Sequence, residues 1–159
     1  MLTIRDATSH DAEVCAAIYA PYVRDTVISF ETDPPDAAEM AARIEGSAAW
    51  LMGEHHGRPV GYAYAGAFNR REAYRWSASV SVYLEPGRRR TGAGRALYEA
   101  LFVRLADLGY RRAAAGITLP NEASVGLHTA LGFEPIGTFG RIGWKHDAWQ
   151  DVAWLQRDL

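Results

Sequence analysis

The run from Val80 to Leu97 constrains this chain more than any other segment. Val80, Val82 and Leu84 alternate with Ser81 and Tyr83 as in a half-buried strand, Pro86-Gly87 stops it, and a basic turn containing Gly92 and Gly94 leads into a helix. The first N–H groups of a helix have no intrahelical acceptor, and glycines beside them let a ligand approach the backbone closely. Such an end binds anions. Arg88, Arg89, Arg90 and Arg95 add charge around it, so the segment predicts a phosphate-bearing ligand. A solvated basic turn is the plainer alternative, and the order strand, breaker, basic loop, helix favours the phosphate site.

The flanking sequence supplies the frame. Leu2 to Ala7 alternates as an opening strand, Thr8-Ser9 with Asp11 and Glu13 reads as a helix start, and Pro21 predicts that this helix ends there. Pro34-Pro35-Asp36 opens a second helix to about Glu45. Ala48–Glu54 and Val60–Phe68 read as a hairpin, and Trp76–Leu84 as the next strand. After the basic turn come a helix from Gly92 to Leu108, a strand from Arg112 to Thr118, a helix from Pro120-Asn121 to Leu131, and closing strands at Phe133–Phe139 and Asp151–Leu155. The pattern is an α+β fold on a mixed sheet, expected as one domain over residues 1–159.

Charge sharpens the location of the site. The chain as a whole carries −2, but residues 70–112 hold ten arginines against four acids, a local +6 within a remainder of −8. Near-neutral overall charge, and basic residues clustered at one loop without interleaved aromatics, argue against nucleic acid as the partner. No apolar run approaches the roughly 18 residues of a membrane span, and Arg5 and Asp6 interrupt any signal peptide, so a cytoplasmic protein without a membrane partner is expected. Cys15 is the only cysteine, which leaves no internal disulfide and no thiolate metal cluster; no metal is expected. Gly92-Ala93-Gly94 begins a dinucleotide fingerprint, but Leu97 stands where a third glycine belongs, and Arg112–Thr118 offers no acid.

Arg89-Arg90-Thr91-Gly92-Ala93-Gly94 resembles the (Arg/Gln)-x-x-Gly-x-(Gly/Ala) pyrophosphate loop of GNAT-type N-acetyltransferases. Asn121 to Ser124, followed by Leu127-His128 and Gly132-Phe133, resembles the second half of their signature in the right order and spacing. Ser29-Phe30-Glu31-Thr32, Tyr74-Arg75-Trp76, Ser81-Val82-Tyr83 and the stretch from Gly143 to Val152 are similar to the phosphinothricin and methionine sulfoximine N-acetyltransferase branch. The resemblance covers nearly the whole chain. It implies the GNAT acyltransferase fold, a mixed and mostly antiparallel sheet flanked by helices, with acetyl-CoA as acetyl donor, a small amine or amino acid as second substrate, and a homodimer. By motif, the backbone of Val82, Tyr83 and Leu84 pairs with the pantetheine arm, Arg89, Arg90, Thr91, Gly92, Ala93, Gly94 and Arg95 hold the pyrophosphate, and Asn121 and Ser124 contact CoA. Phe30, Asn69, Arg70, Arg71, Tyr74, Ser79, Val80 and Ser81 line the amino-acid pocket.

The chemistry sets requirements for these parts. An amine must lose a proton, attack a thioester carbonyl and expel a thiolate, so a base path, an N–H facing the carbonyl oxygen and an acid near sulfur are needed. His128 stands where many relatives place Tyr, and an imidazole there can protonate the thiolate or relay the amine's proton; the plainer alternative is a half-buried packing histidine. Ser79 departs from the branch, which commonly has Glu there as the proposed base. A hydroxyl cannot replace a carboxylate base near neutral pH but can position a water. Three outcomes stay open: a water-relayed proton with His128 carrying more of the work, a less basic amine, or lost activity. Arg70, Arg71 and Arg75 follow the strand ending at Phe68, where a guanidinium fork suits a carboxylate or phosphinate, although at least one is expected to be merely solvated. Trp50, Trp144, Trp149 and Trp154 are read as core or dimer contacts. Rival functions are acetylation of another small amine or a protein N-terminus, and a catalytically silent acyl-CoA-binding module.

Overall fold

The computed structural model describes residues 1–88 and 91–159; Arg89 and Arg90, two of the expected pyrophosphate contacts, lie outside the described residues. Seven strands form one sheet: β1 (Leu2–Asp6), β2 (Ala49–His55), β3 (Arg58–Ala67), β4 (Ser77–Leu84), β5 (Arg112–Leu119), β6 (Glu134–Lys145) and β7 (Ala148–Asp158), in the order β1-β2-β3-β4-β5-β7-β6. Every neighbouring pair is antiparallel except β4 and β5, which run parallel because the helix α3 (Ala93–Asp107) carries the chain back between them. Two helices precede β2, α1 (Ala12–Asp25) and α2 (Ala37–Gly46), and α4 (Glu122–Ala130) follows β5.

Alternation along β2 and β3 feeds two cores. Leu51, Ala63 and Ala65 face α3 and pack with Leu97, Leu101 and Leu105, whereas Trp50, Met52 and Tyr62 face α1 and α2 and pack with Cys15, Ile18, Val23, Met40 and Ile44. Leu97, Leu101 and Leu105 are fully buried, each contributing roughly 2 kcal/mol by area. In β4 the same alternation puts Val80 and Val82 on the α3 side and Tyr83 on the α1–α2 side, against Tyr19 and Tyr22.

Two expected boundaries are corrected. α1 continues through Pro21 to Asp25, because Ile18, Tyr19 and Val23 are buried on one face, which outweighs the hydrogen bond that proline cannot make. β6 and β7 extend far beyond Phe133–Phe139 and Asp151–Leu155. Register shifts at Pro135/Gly137 and Phe139/Gly143, with Arg141 at φ 53°, insert extra residues that destroy the two-residue alternation. Among the described residues, no helix is long and apolar enough to cross a membrane.

Candidate active site

The parallel ladder between β4 and β5 is short. It pairs Ser77–Ser79 with Arg112–Ala114 and stops, although β4 continues to Leu84 and β5 to Leu119. Past Ser79, β4 remains paired with β3, and β5 remains paired with β7, so the sheet parts into a wedge between its two central strands. Val80, Val82, Ala115 and Ile117 line the wedge from the strands, with Asn121 and His128 from α4.

The end of β4 meets the start of α3 at this opening. Gly92 caps α3 at φ 80°, a conformation that suits glycine, and a Cβ on Gly94 would touch Leu84 and Leu127 at 3.7 and 3.6 Å. The α3 N-terminus is therefore seated between β4 and α4, with its first-turn N–H groups directed past the helix end. Thr91 Oγ1 accepts from Ala93 N–H at 3.4 Å and donates to the Arg88 carbonyl at 3.1 Å, which folds the loop onto the helix. Glu85 grips Arg88 at 2.8 Å and Arg58 at 2.6 Å; these two guanidinium groups hold its carboxyl below the usual carboxylate range. Arg95 pairs with Glu99 at 2.9 Å. Asn121 caps α4, its Oδ1 accepting from Ser124 N–H at 3.1 Å. At the far end of β4, the Leu84 carbonyl accepts from the Tyr22 hydroxyl at 2.6 Å.

His128 sits in the wall of the wedge, 3% exposed, with Nδ1 2.7 Å from the Ser124 carbonyl and Nε2 3.0 Å from the Tyr98 hydroxyl. A carbonyl only accepts, so Nδ1 carries the proton and Nε2 keeps a lone pair that receives the Tyr98 O–H. Burial lowers the His128 pKa, which keeps the ring neutral at pH 7. Tyr98, an apolar-face position of α3 that the sequence gives no reason to single out, also lines the wedge.

The residues expected to contact the amine are distributed over several elements. Ser81 lines the cleft, and Ser79 marks the last paired position before the sheet parts. Val80 is buried in the α3-side core. Beyond β3, Asn69 Oδ1 accepts the N–H of Arg71 at 3.0 Å, and Phe68 and Tyr74 lie 5.6 Å apart. Trp154 lies across Gly116, where a Cβ would come within 3.1 Å of the indole, and meets Phe68 edge-on at 6.2 Å. Arg75 pairs with Glu72 and lies over Trp76, whereas Arg70 and Arg71 form no ion pair among the described residues. Phe30 is 41% exposed, its ring against Gly143, and Ile28 lines the cleft. Trp50 belongs to the core, and Trp144 and Trp149 are exposed and 5.1 Å apart. Among the described residues, no group of three or more His, Cys, Asp or Glu side chains is placed to hold a metal ion.

An α+β sheet that parts between its two central strands, with the N-terminus of α3 seated at the opening, defines the class of fold. The family model for the GNAT acetyltransferase domain matches residues 4–154. The chain belongs to the GNAT acetyltransferase family. It is similar to a phosphinothricin N-acetyltransferase of Streptomyces viridochromogenes, 36% identical with 98% of this chain and 87% of the relative covered. An L-methionine sulfoximine/L-methionine sulfone acetyltransferase of Pseudomonas paraeruginosa is 32% identical over 99% of this chain and 94% of its own. The crystal structure of a phosphinothricin acetyltransferase from Sinorhizobium meliloti in complex with acetyl-CoA superposes with a TM-score of 0.95 at 39% identity, covering 99% of this chain and 88% of that one.

Proposed function

We propose that the protein transfers the acetyl group of acetyl-CoA to the α-amine of a small amino acid or analogue, with phosphinothricin-like and methionine-sulfoximine-like compounds foremost, by direct attack within a ternary complex. The observation that carries this reading is the parting of β4 from β5 beside the α3 N-terminus. An unpaired strand edge takes an extended amide-bearing arm as a neighbouring strand would, which gives the backbone of Val82, Tyr83 and Leu84 to pantetheine. The first-turn amides from Gly92 to Arg95 face the pyrophosphate, with Thr91 beside them and Asn121 and Ser124 closing the other wall, while Arg89 and Arg90 are assigned to it by the motif alone. The bound thioester supplies an acyl carbon activated for attack. On the opposite side Arg70 and Arg71 take the substrate's carboxylate, while Phe30, Asn69, Tyr74 and Ser81 shape the pocket and Val80 contributes backbone.

His128 supplies the proton relay. Its Nε2, held by the Nδ1–H bond to Ser124, accepts from the Tyr98 hydroxyl, so the amine's proton passes to the Tyr98 oxygen as the Tyr98 proton moves to Nε2, and the reverse shift protonates the departing sulfur; the amine nitrogen loses what the thiolate gains. Ser79 positions a water in the place of a carboxylate. Introducing the acid with Ser79→Glu is expected to raise turnover on the order of 10-fold or shift the pH profile to lower pH. An unchanged rate and profile would show that no carboxylate is missing. β6 is an edge strand with Ile136, Phe139, Ile142 and Trp144 each more than half exposed, which supports the homodimer implied by the resemblance.

The experiment is thiol release from acetyl-CoA with a panel of amino acids and analogues. Free CoA is expected only with compounds carrying a free α-amine, accompanied by the N-acetyl product. If acetyl-CoA binds but no amine releases thiol above background, the wedge belongs to a silent acyl-CoA-binding module.

A further inference from the structure

Lys145 is the only lysine among seventeen Lys and Arg residues, and it is 6% exposed at the end of β6. Its Nζ donates to two backbone carbonyls at 2.7 Å each, those of Val23 and Ser29. The Val23 carbonyl lies in the last turn of α1, where carbonyls lack intrahelical partners and the helix dipole favours a cation. The Ser29 carbonyl belongs to the segment that leaves α1 and brings Ile28 to the cleft. An ammonium is a compact point charge that donates to both carbonyls from a single atom.

Ser29 is pinned three times. Besides Lys145, its Oγ meets the Tyr19 hydroxyl at 2.6 Å and accepts the Glu31 N–H at 3.1 Å, and Glu31 is in turn held by Arg43 at 2.6 Å. Its two neighbours point the other way: Ile28 lines the cleft, and Phe30 lies exposed with its ring against Gly143, two residues before Lys145. The tight turn after Lys145, with His146 and Asp147 at φ 52° and 55°, fixes it opposite Ala148.

We propose that Lys145 is a positioning residue for the amine site, its ammonium holding the 26–31 segment so that Ile28 and Phe30 wall the pocket. This rests on the reading of Phe30 as an amine contact. In Lys145→Met, hydrogen exchange at the amides of Ile28 and Glu31 is expected to quicken at least about 10-fold while that of β3 and β4 holds. The KM for the amine should rise on the order of 10-fold, with the KM for acetyl-CoA within about twofold. Unchanged exchange at 26–31, an unchanged amine KM, or an equal change in both KM values overturns the proposal.

Two further variants keep the outcome readable. If Lys145→Met unfolds, Gly143→Ala serves instead: its Cβ would come within 2.3 Å of the Phe30 ring and must displace it with the ammonium in place. The same split, of about 3-fold in amine KM, is expected, and its absence overturns the proposal. Phe30→Ala separates the two levels. If it leaves the amine KM unchanged, the assignment of Phe30 to the amine site fails and the proposal falls with it; if it raises that KM and Lys145→Met does not, only the role of Lys145 fails.

Discussion

Gly61→Val is expected to destabilise the protein by roughly 3 kcal/mol and to weaken acetyl-CoA binding on the order of 10-fold, although Gly61 touches neither substrate. Gly61 on β3 stands opposite Leu84 on β4. A Cβ there would lie 2.5 Å from Leu84 Cδ2, 2.8 Å from the Tyr83 carbonyl oxygen and 3.2 Å from Leu84 Cα. The Leu84 side chain can rotate away, but the carbonyl and Cα move only with the strand. That stretch of β4 is tied from outside by the Tyr22 hydroxyl on the Leu84 carbonyl and by the Glu85 N–H on the Val60 carbonyl at 2.8 Å. A displaced Tyr83–Leu84 therefore misaligns the unpaired edge assigned to pantetheine. Thermal unfolding should report a Tm drop of roughly 6–12 °C for a chain of this size. Calorimetric titration with acetyl-CoA reads the second effect, and a variant that binds as tightly as the parent would remove the edge of β4 from the donor site.

His128→Ala is expected to cut turnover on the order of 100-fold while leaving acetyl-CoA affinity within a few-fold. The ring's two nitrogens are committed to Ser124 and Tyr98, and it packs edge-on to Phe133 at 5.0 Å. Its removal also leaves the buried Tyr98 hydroxyl without its acceptor, at a stability cost of about 1–3 kcal/mol. The ratio of turnover loss to binding loss distinguishes a relay from a packing residue; equal turnover in the variant would exclude His128 from the chemistry. Stability carries a second signature. Because burial lowers the folded pKa below the ordinary 6.5, the unfolded chain takes up a proton first as pH falls. The contribution is complete above that value, declines as pH falls from 6.5 toward the depressed folded value, and is absent from the slope of the alanine variant.

The parts legible in the sequence were those with local punctuation. Pro86-Gly87, Gly92 and Gly109 fix where β4 stops and α3 starts and ends, because each breaks its element whatever surrounds it. The parting of β4 from β5 has no such mark. It depends on where a nonlocal ladder ends, and Ala115 and Ile117 look as suited to pairing as Ala113 and Ala114. Pro21 does not end α1 because tertiary burial overrides a local breaker, and the bulges of β6 erase the periodicity that would show its length. Motif resemblance points to His128 and Asn121, whereas Tyr98 carries no mark in the sequence and reaches the cleft only through the fold. Lys145 carried one signal, its rarity, but not the carbonyls that give it a role.

A crystal structure with CoA and a reactive amine bound together is the decisive test of the proposed division of the wedge between acetyl donor and amine. The pantetheine arm is expected along Val82–Leu84, the pyrophosphate at the amides of Gly92 to Arg95, and the amine nitrogen within reach of the sulfur, with its carboxylate on Arg70 or Arg71. CoA bound outside the wedge, or an amine reaching the sulfur from the α3 side, would rule out this arrangement.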